Sequence, residues 1–136
     1  MQLQDKVAII TGAGQTAPDG MGNGRATALT FARHGAKLML ANRSAPSLEE
    51  TARQVRAEGF SVETKLTDIT DEEDCRKLMA AAMDAFGRVD ILHNNVGAGI
   101  VDHDTVQIDL ADWQDMLNRN LTGAMLLSKH VLGIMR

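Results

Sequence analysis

The run Val7-Ala8-Ile9-Ile10-Thr11-Gly12-Ala13-Gly14 is followed by Gly22-Asn23-Gly24-Arg25-Ala26. An apolar strand enters a glycine-rich turn, and the turn opens a helix. That order suits a diphosphate. Glycines let the backbone approach the phosphates, and a helix N-terminus offers unsatisfied N–H groups at the positive end of its dipole. Glycines at this spacing also mark ordinary tight turns, so the spacing takes its meaning from its surroundings.

Other groups with chemical potential are few. His34, His93, His103 and His130 have no paired ligand spacing, and no metal site is expected. Cys75, the single cysteine, falls on an apolar helical stripe and reads as core. Alone it cannot form an internal disulfide, which fits a reducing cytoplasm. The sequence contains no tyrosine.

The elements that must position these residues alternate between strand and helix with short connections, the pattern of one α/β domain with a parallel sheet over residues 1–136. Strands are predicted near 6–11, 37–41, 62–66 and 89–93. Helices are predicted near 23–34, 47–58, 71–86 and 110–135, the last with an interruption around Asn118–Asn120. Thr70 and Glu73 have the spacing of a capping box, and Ser47 and Glu50 repeat it. Gly35, Gly59 and Gly87 suit left-handed helix ends. Val7–Ile10, Leu38–Ala41 and Val89–Leu92 are apolar enough for strands covered on both faces. Val62, Thr64 and Leu66 alternate with Ser61, Glu63 and Lys65, as at a sheet edge. Right-handed crossovers then favour the strand order 3-2-1-4, with the glycine turn beside the gap between strands 1 and 4 where the winding reverses.

Composition excludes several classes. The chain is 44% hydrophobic and 24% charged, ordinary for a soluble globular protein. A net charge of −4 with no basic patch argues against nucleic-acid binding. No apolar run approaches the roughly 18 residues of a membrane span. The N-terminal Met-Gln-Leu-Gln-Asp-Lys lacks the layout of a signal peptide, and a cytoplasmic location is expected.

Thr11-Gly12-Ala13-Gly14, Gly22-x-Gly24, Asp68, Asn94-Asn95-Val96-Gly97 and Asn120-Leu121-Thr122-Gly123 follow one another in an order that resembles the short-chain dehydrogenases/reductases. The resemblance covers the whole chain. It implies a Rossmann-type fold that binds NADP(H) or NAD(H), and a complete enzyme that transfers hydride between nicotinamide and a small-molecule alcohol or carbonyl. The cofactor site it implies draws on Gly12, Gly14, Gln15, Gly22, Asn23, Gly24, Asn42, Arg43, Asp68, Ile69, Asn95 and Gly97. In that family an Asp like Asp68 contacts adenine, and an Asn like Asn95 lies near the adenosine ribose. Asn120 matches a helix Asn that helps organise a proton-relay water, although Arg119 stands where a small apolar residue is usual.

Each residue also has a plainer role open to it. Asp68 could merely precede a helix cap, Asn94 and Asn95 could bond local backbone, and Asn120 could be a polar residue tolerated at a helix irregularity. Thr16–Met21 is inserted relative to the family's usual turn, either as a surface bulge or as a cover for the cofactor. At the end of strand 2 an acid would bond the ribose 2′-OH of NAD, whereas a 2′-phosphate needs a cation. Asn42 occupies the acid position and Arg43 follows, which favours NADP(H). Arg43 could instead be solvated, and Asn42 could still bond a 2′-OH.

The family's reaction needs a tyrosine, a lysine and a serine on elements after the last helix seen here. With no tyrosine, the chain has no Tyr-x-x-x-Lys, and Ser128-Lys129 cannot take those roles. The chain therefore reads as the N-terminal, cofactor-binding portion of such an enzyme, truncated at its C-terminus and inactive alone. The alternative is a non-catalytic or degenerate dinucleotide-binding module. A methyltransferase using S-adenosylmethionine shares the strand–turn–helix start, but Asn42 and Asn94-Asn95 do not favour it. Strand 4 lacks an outer neighbour, and much of the set Leu117, Leu121, Ala124, Met125, Leu127, Leu132 and Met135 would normally be covered by later elements or a second subunit. A homo-oligomer through the last helix is expected.

Overall fold

The computed structural model describes residues 1–15, 19–97 and 104–135. Thr16–Pro18 of the insertion, and His103, lie outside them. Every residue of β1 (Val7–Thr11) is buried, as are Leu38–Ala41 of β2 (Lys37–Asn42), because both strands are apolar on both faces. Ala8, Ile10, Leu38 and Leu40 pack on one side, against α1 (Asn23–Arg33) and α2 (Ala45–Ala57). Ile9, Met39 and Ala41 face the other side, against α3 (Glu72–Phe86) and, after β4 (Ile91–His93) and α4 (Leu110–Leu117), α5 (Gly123–Ile134). The two-residue period of the strands thus divides the core in two. Each fully buried Ile or Leu contributes roughly 1.5–3 kcal/mol.

With β3 (Val62–Leu66), the strands form a parallel sheet of order β3-β2-β1-β4, as expected. The order matches part of a Rossmann fold, with helices on both faces. β3 is an edge, and its exposed Glu63 fits that place. β4 is shorter than the predicted 89–93. Asp90 explains the difference, because its carboxylate accepts the Val7 N–H at 2.9 Å that a longer ladder would need.

Three sequence expectations need correction. The α3 cap is Asp71, whose carboxylate accepts the Asp74 N–H at 2.9 Å; Thr70 is committed to Asp68, donating its hydroxyl at 2.7 Å. α2 begins two residues before the expected start, with Ser44 at the N-cap and Pro46 in the first turn. Ser47 is therefore inside the helix, and Glu50 pairs with Arg53. Leu127 needs no outside cover, being fully buried under the sheet with Leu126 and Val131 nearby.

The expected interruption of the last helix is a π-helical turn over Asn118–Thr122. Asn120 Nδ2 donates to the Met116 carbonyl at 3.0 Å, and Gly123 presses against Ile69, whose Cδ1 would lie 2.5 Å from a Cβ there. Gly35, Gly59 and Gly87 all have the positive φ expected of helix ends.

Candidate functional site

A cleft of about 1050 Å³ opens at the C-terminal end of the sheet. Its wall takes residues from the ends of all four strands: Gly12, Gly14 and Gln15; Asn42 and Arg43; Asp68 and Ile69; Asn95 and Gly97. Gly22, Asn23 and Gly24 complete it from the start of α1. Every residue the sequence proposed for the cofactor lies on this one surface. Asn120 does not line the cleft, but its Oδ1 lies 3.6 Å from where a Cβ on Gly97 would stand.

The glycines differ in what they permit. Gly12 has φ +61°, and a Cβ there would come within 2.6 Å of the Asn95 carbonyl oxygen. A Cβ on Gly24 would collide with the Gly12 carbonyl, so Gly24 lets α1 start directly against the turn. Gly22 is different: a Cβ there would meet nothing closer than 3.7 Å, and that bare backbone faces the cleft. The N-cap, Gly22, has no side chain to cap α1, its own N–H goes to Gln15, and no acid sits in the first turn. An uncapped helix start behind bare backbone is suited to an anion.

Two loops lock the turn. The Thr11 hydroxyl donates to the His93 carbonyl and accepts the Asn95 N–H, both at 3.2 Å, while Asn95 Nδ2 donates to the Gly12 carbonyl at 3.2 Å. Asn95 therefore ties β1 to the β4 exit as well as facing the cleft. Asn94 reaches away, its amide donating to Ser128 on α5 at 3.3 Å. The Gln15 carboxamide closes the insertion, donating to Gly20 O at 3.0 Å and accepting the Gly22 N–H at 3.1 Å.

The charge lies where β2 and β3 end. Thr70 donates both its hydroxyl and its N–H to Asp68 Oδ1. The hydroxyl bond above all, helped by that N–H and the charges of Arg43 and Arg119, outweighs partial burial and holds the Asp68 carboxyl below its ordinary range. Arg43 stands exposed on the rim, and Asn42 Nδ2 donates to the Ser44 carbonyl at 3.4 Å. Arg119 also lines the cleft, paired with Asp115 at 2.9 Å.

Sequence reasoning missed Ser47, Thr51 and Arg25. Ser47 was read as a cap, yet its hydroxyl accepts the Gln15 N–H and donates to the Gln15 carbonyl at 2.9 Å. Thr51, fully buried, donates to the Ala13 carbonyl at 2.8 Å and accepts from Arg25 Nε at 2.9 Å. Two hydroxyls four residues apart on one helix were the available signal. Buried Cys75 is core as expected; desolvation, with nearby carboxylates, pushes its thiol up to about 11. Among the described residues no cluster of three or more His, Cys, Asp or Glu could hold a metal ion, and no helix is long and apolar enough to cross a membrane.

The fold and the cleft define a partial Rossmann domain of the nucleotide-binding kind. The short chain dehydrogenase family model matches residues 6–136, and the chain belongs to that family of oxidoreductases. A provisionally assigned short-chain dehydrogenase/reductase from Burkholderia xenovorans is 46% identical and superposes with a TM-score of 0.93, over 98% of this chain and 52% of that one. An uncharacterised oxidoreductase of Mycobacterium tuberculosis is 35% identical over 98% of this chain and 48% of its own length. A metagenomic short-chain oxidoreductase in complex with NADP is 27% identical, with a TM-score of 0.89 over 99% of this chain and 58% of that one. The chain thus spans about half the length of the relatives it matches.

Proposed function

We propose that the chain is the cofactor-binding portion of a cytoplasmic NAD(P)-dependent oxidoreductase with a preference for NADP(H). The single observation that carries this reading is the convergence at one cleft of an uncapped helix start, a glycine cradle, and Asn42-Arg43 at the end of β2. Gly22 leaves open backbone toward the cleft at the start of α1, so the residues present leave room for a diphosphate. In this reading the backbone of Asn23 and Gly24 holds the diphosphate over the open face of Gly22, with Gly14 and Gln15 shaping the turn. Asp68 and Ile69 receive the adenine, Asn95 and Gly97 border the ribose side, and Arg43 pairs with a 2′-phosphate while Asn42 avoids repelling it. The metagenomic relative's NADP supports that preference. When bound, the nicotinamide supplies the hydride acceptor or donor for an alcohol or carbonyl substrate. Asn120, beside Gly97, orders a water in the complete enzyme's proton path.

Titration with NADPH, NADH and S-adenosylmethionine tests the reading. NADPH is expected to bind most tightly; tighter binding of S-adenosylmethionine, or no binding of either dinucleotide, would overturn it. A second reading, a dinucleotide-binding module without catalysis, rests on the absence of tyrosine from the sequence. The reading frame beyond the Arg136 codon separates the two: a serine and a Tyr-x-x-x-Lys downstream support the enzyme. We also propose homo-oligomerisation through the last helix, supported by the exposure of Leu121, Met125 and Leu132.

A further inference from the structure

The described turn after β1, Gly12–Gln15, leaves the sheet, so little of it is held by strand pairing; Ala13 N–H still reaches the Ala41 carbonyl at 3.2 Å. What holds the rest is α2. The Ser47 hydroxyl has one proton, which goes to the Gln15 carbonyl, and its lone pairs accept the Gln15 N–H. The Thr51 hydroxyl likewise has one proton to give. The Ala13 carbonyl at 2.8 Å is a better acceptor position than the Ser47 carbonyl of its own helix at 3.3 Å, and Arg25 Nε turns the Thr51 oxygen toward the glycine turn from α1. Gln15 passes the constraint on, since its side chain grips Gly20 O and Gly22 N. A continuous set of hydrogen bonds therefore runs from α2 through Gln15 to the first residue of the α1 N-terminus.

We propose that Ser47 and Thr51 are positioning residues for the diphosphate, holding the glycine turn through Gln15 and Ala13 in the shape that aims the α1 N-terminus. This rests on the dinucleotide reading above. Anion binding by backbone N–H groups depends on their being aimed before the ligand arrives, because a loose turn must be ordered at the expense of affinity. Ser47 also lines the cleft near Asn42, whereas Thr51 is buried behind it, so Thr51 acts on the turn alone and leaves the end built from Asn42, Arg43 and Asp68 unchanged.

The test uses the full-length protein and whichever of NADPH or NADH it binds more tightly, followed by the fluorescence of the dihydronicotinamide. A fragment without a diphosphate, adenosine 2′-monophosphate for an NADPH binder or adenosine for an NADH binder, is measured by competition. Ser47→Ala and Thr51→Val are each expected to weaken the dinucleotide about tenfold, the loss of a hydrogen bond or so; Thr51→Val is expected to leave the fragment unchanged, and Ser47→Ala to weaken it less than the dinucleotide. Thr51→Ser, which keeps the hydroxyl, is expected to restore wild-type affinity. Unchanged dinucleotide affinity in both loss variants, or equal weakening of dinucleotide and fragment, would overturn the inference while the functional reading stands. If the wild type binds no dinucleotide, the functional reading fails and takes this inference with it. Should Thr51→Val not fold, Ser47→Ala decides the question through a loss of dinucleotide affinity larger than its loss of fragment affinity.

Discussion

At the scale of single residues, the cleft separates groups that shape it from groups that face into it. Gly12 and Gly24 are required by backbone conformation and close packing, so their presence alone says nothing of a ligand. Gly22 is required by neither, which leaves its open face toward the cleft as the reason for a glycine. Asn42 and Arg43 are the residues on which cofactor preference turns. Placing a carboxylate at position 42 adds an acceptor for a 2′-OH and repels a 2′-phosphate. Asn42→Asp is accordingly expected to shift the NADPH-to-NADH affinity ratio at least about tenfold toward NADH, a change of roughly 1.4 kcal/mol. Equal ratios before and after would refute the assignment of this end of the cleft.

At the scale of elements, the last helix is tied to α3 by one carboxylate. Glu72, in the first turn of α3, accepts from Lys129 Nζ at 2.7 Å and faces His130 Nε2 at 2.9 Å on α5, with Arg76 at 4.0 Å on its own helix. The Lys129 bond first, then the His130 bond, holds the Glu72 carboxyl below its ordinary range. A carboxyl whose pKa is lowered by folding adds stability above its unfolded value, near about 4.3, and loses it as pH falls through the lower folded value. Glu72→Gln should therefore lower the thermal midpoint at neutral pH, with the gap to wild type closing as pH falls below about 4. A gap that is constant from neutral to acid pH would show that the clamp carries no pH-dependent stability. The element scale also shows why capping was misread. Thr70-x-x-Glu73 and Asp71-x-x-Asp74 are adjacent candidates of equal local quality, and Asp68 decides between them by engaging Thr70.

At the scale of the whole molecule, the sheet is bounded at β4, and the α4–α5 surface leaves apolar side chains in solvent. Trp113, Leu121, Met125 and Leu132 are each more than half exposed. Exposed apolar area of this kind favours association. Produced as these 136 residues, the polypeptide is expected to self-associate in sedimentation velocity, and Leu121→Lys with Leu132→Lys to shift it toward monomer. A wild-type monomer at high concentration, unfolding cooperatively, would contradict this.

Much of the architecture was legible in the chain itself. The continuous apolar runs at Val7–Ile10 and Leu38–Ala41, helical stripes, the polar alternation of β3 and the left-handed glycines are local signals, and each is available before any tertiary contact forms. The strand order followed from crossover handedness, and the glycine turn from backbone sterics. Tertiary structure alone decided that β4 is short because Asp90 takes the Val7 N–H, and that Ser47 and Thr51 serve the glycine turn. Those outcomes depend on groups 32 to 83 residues apart in the chain. A hydroxyl or carboxylate with several acceptable local partners is committed only when folding brings one distant partner into hydrogen-bonding range.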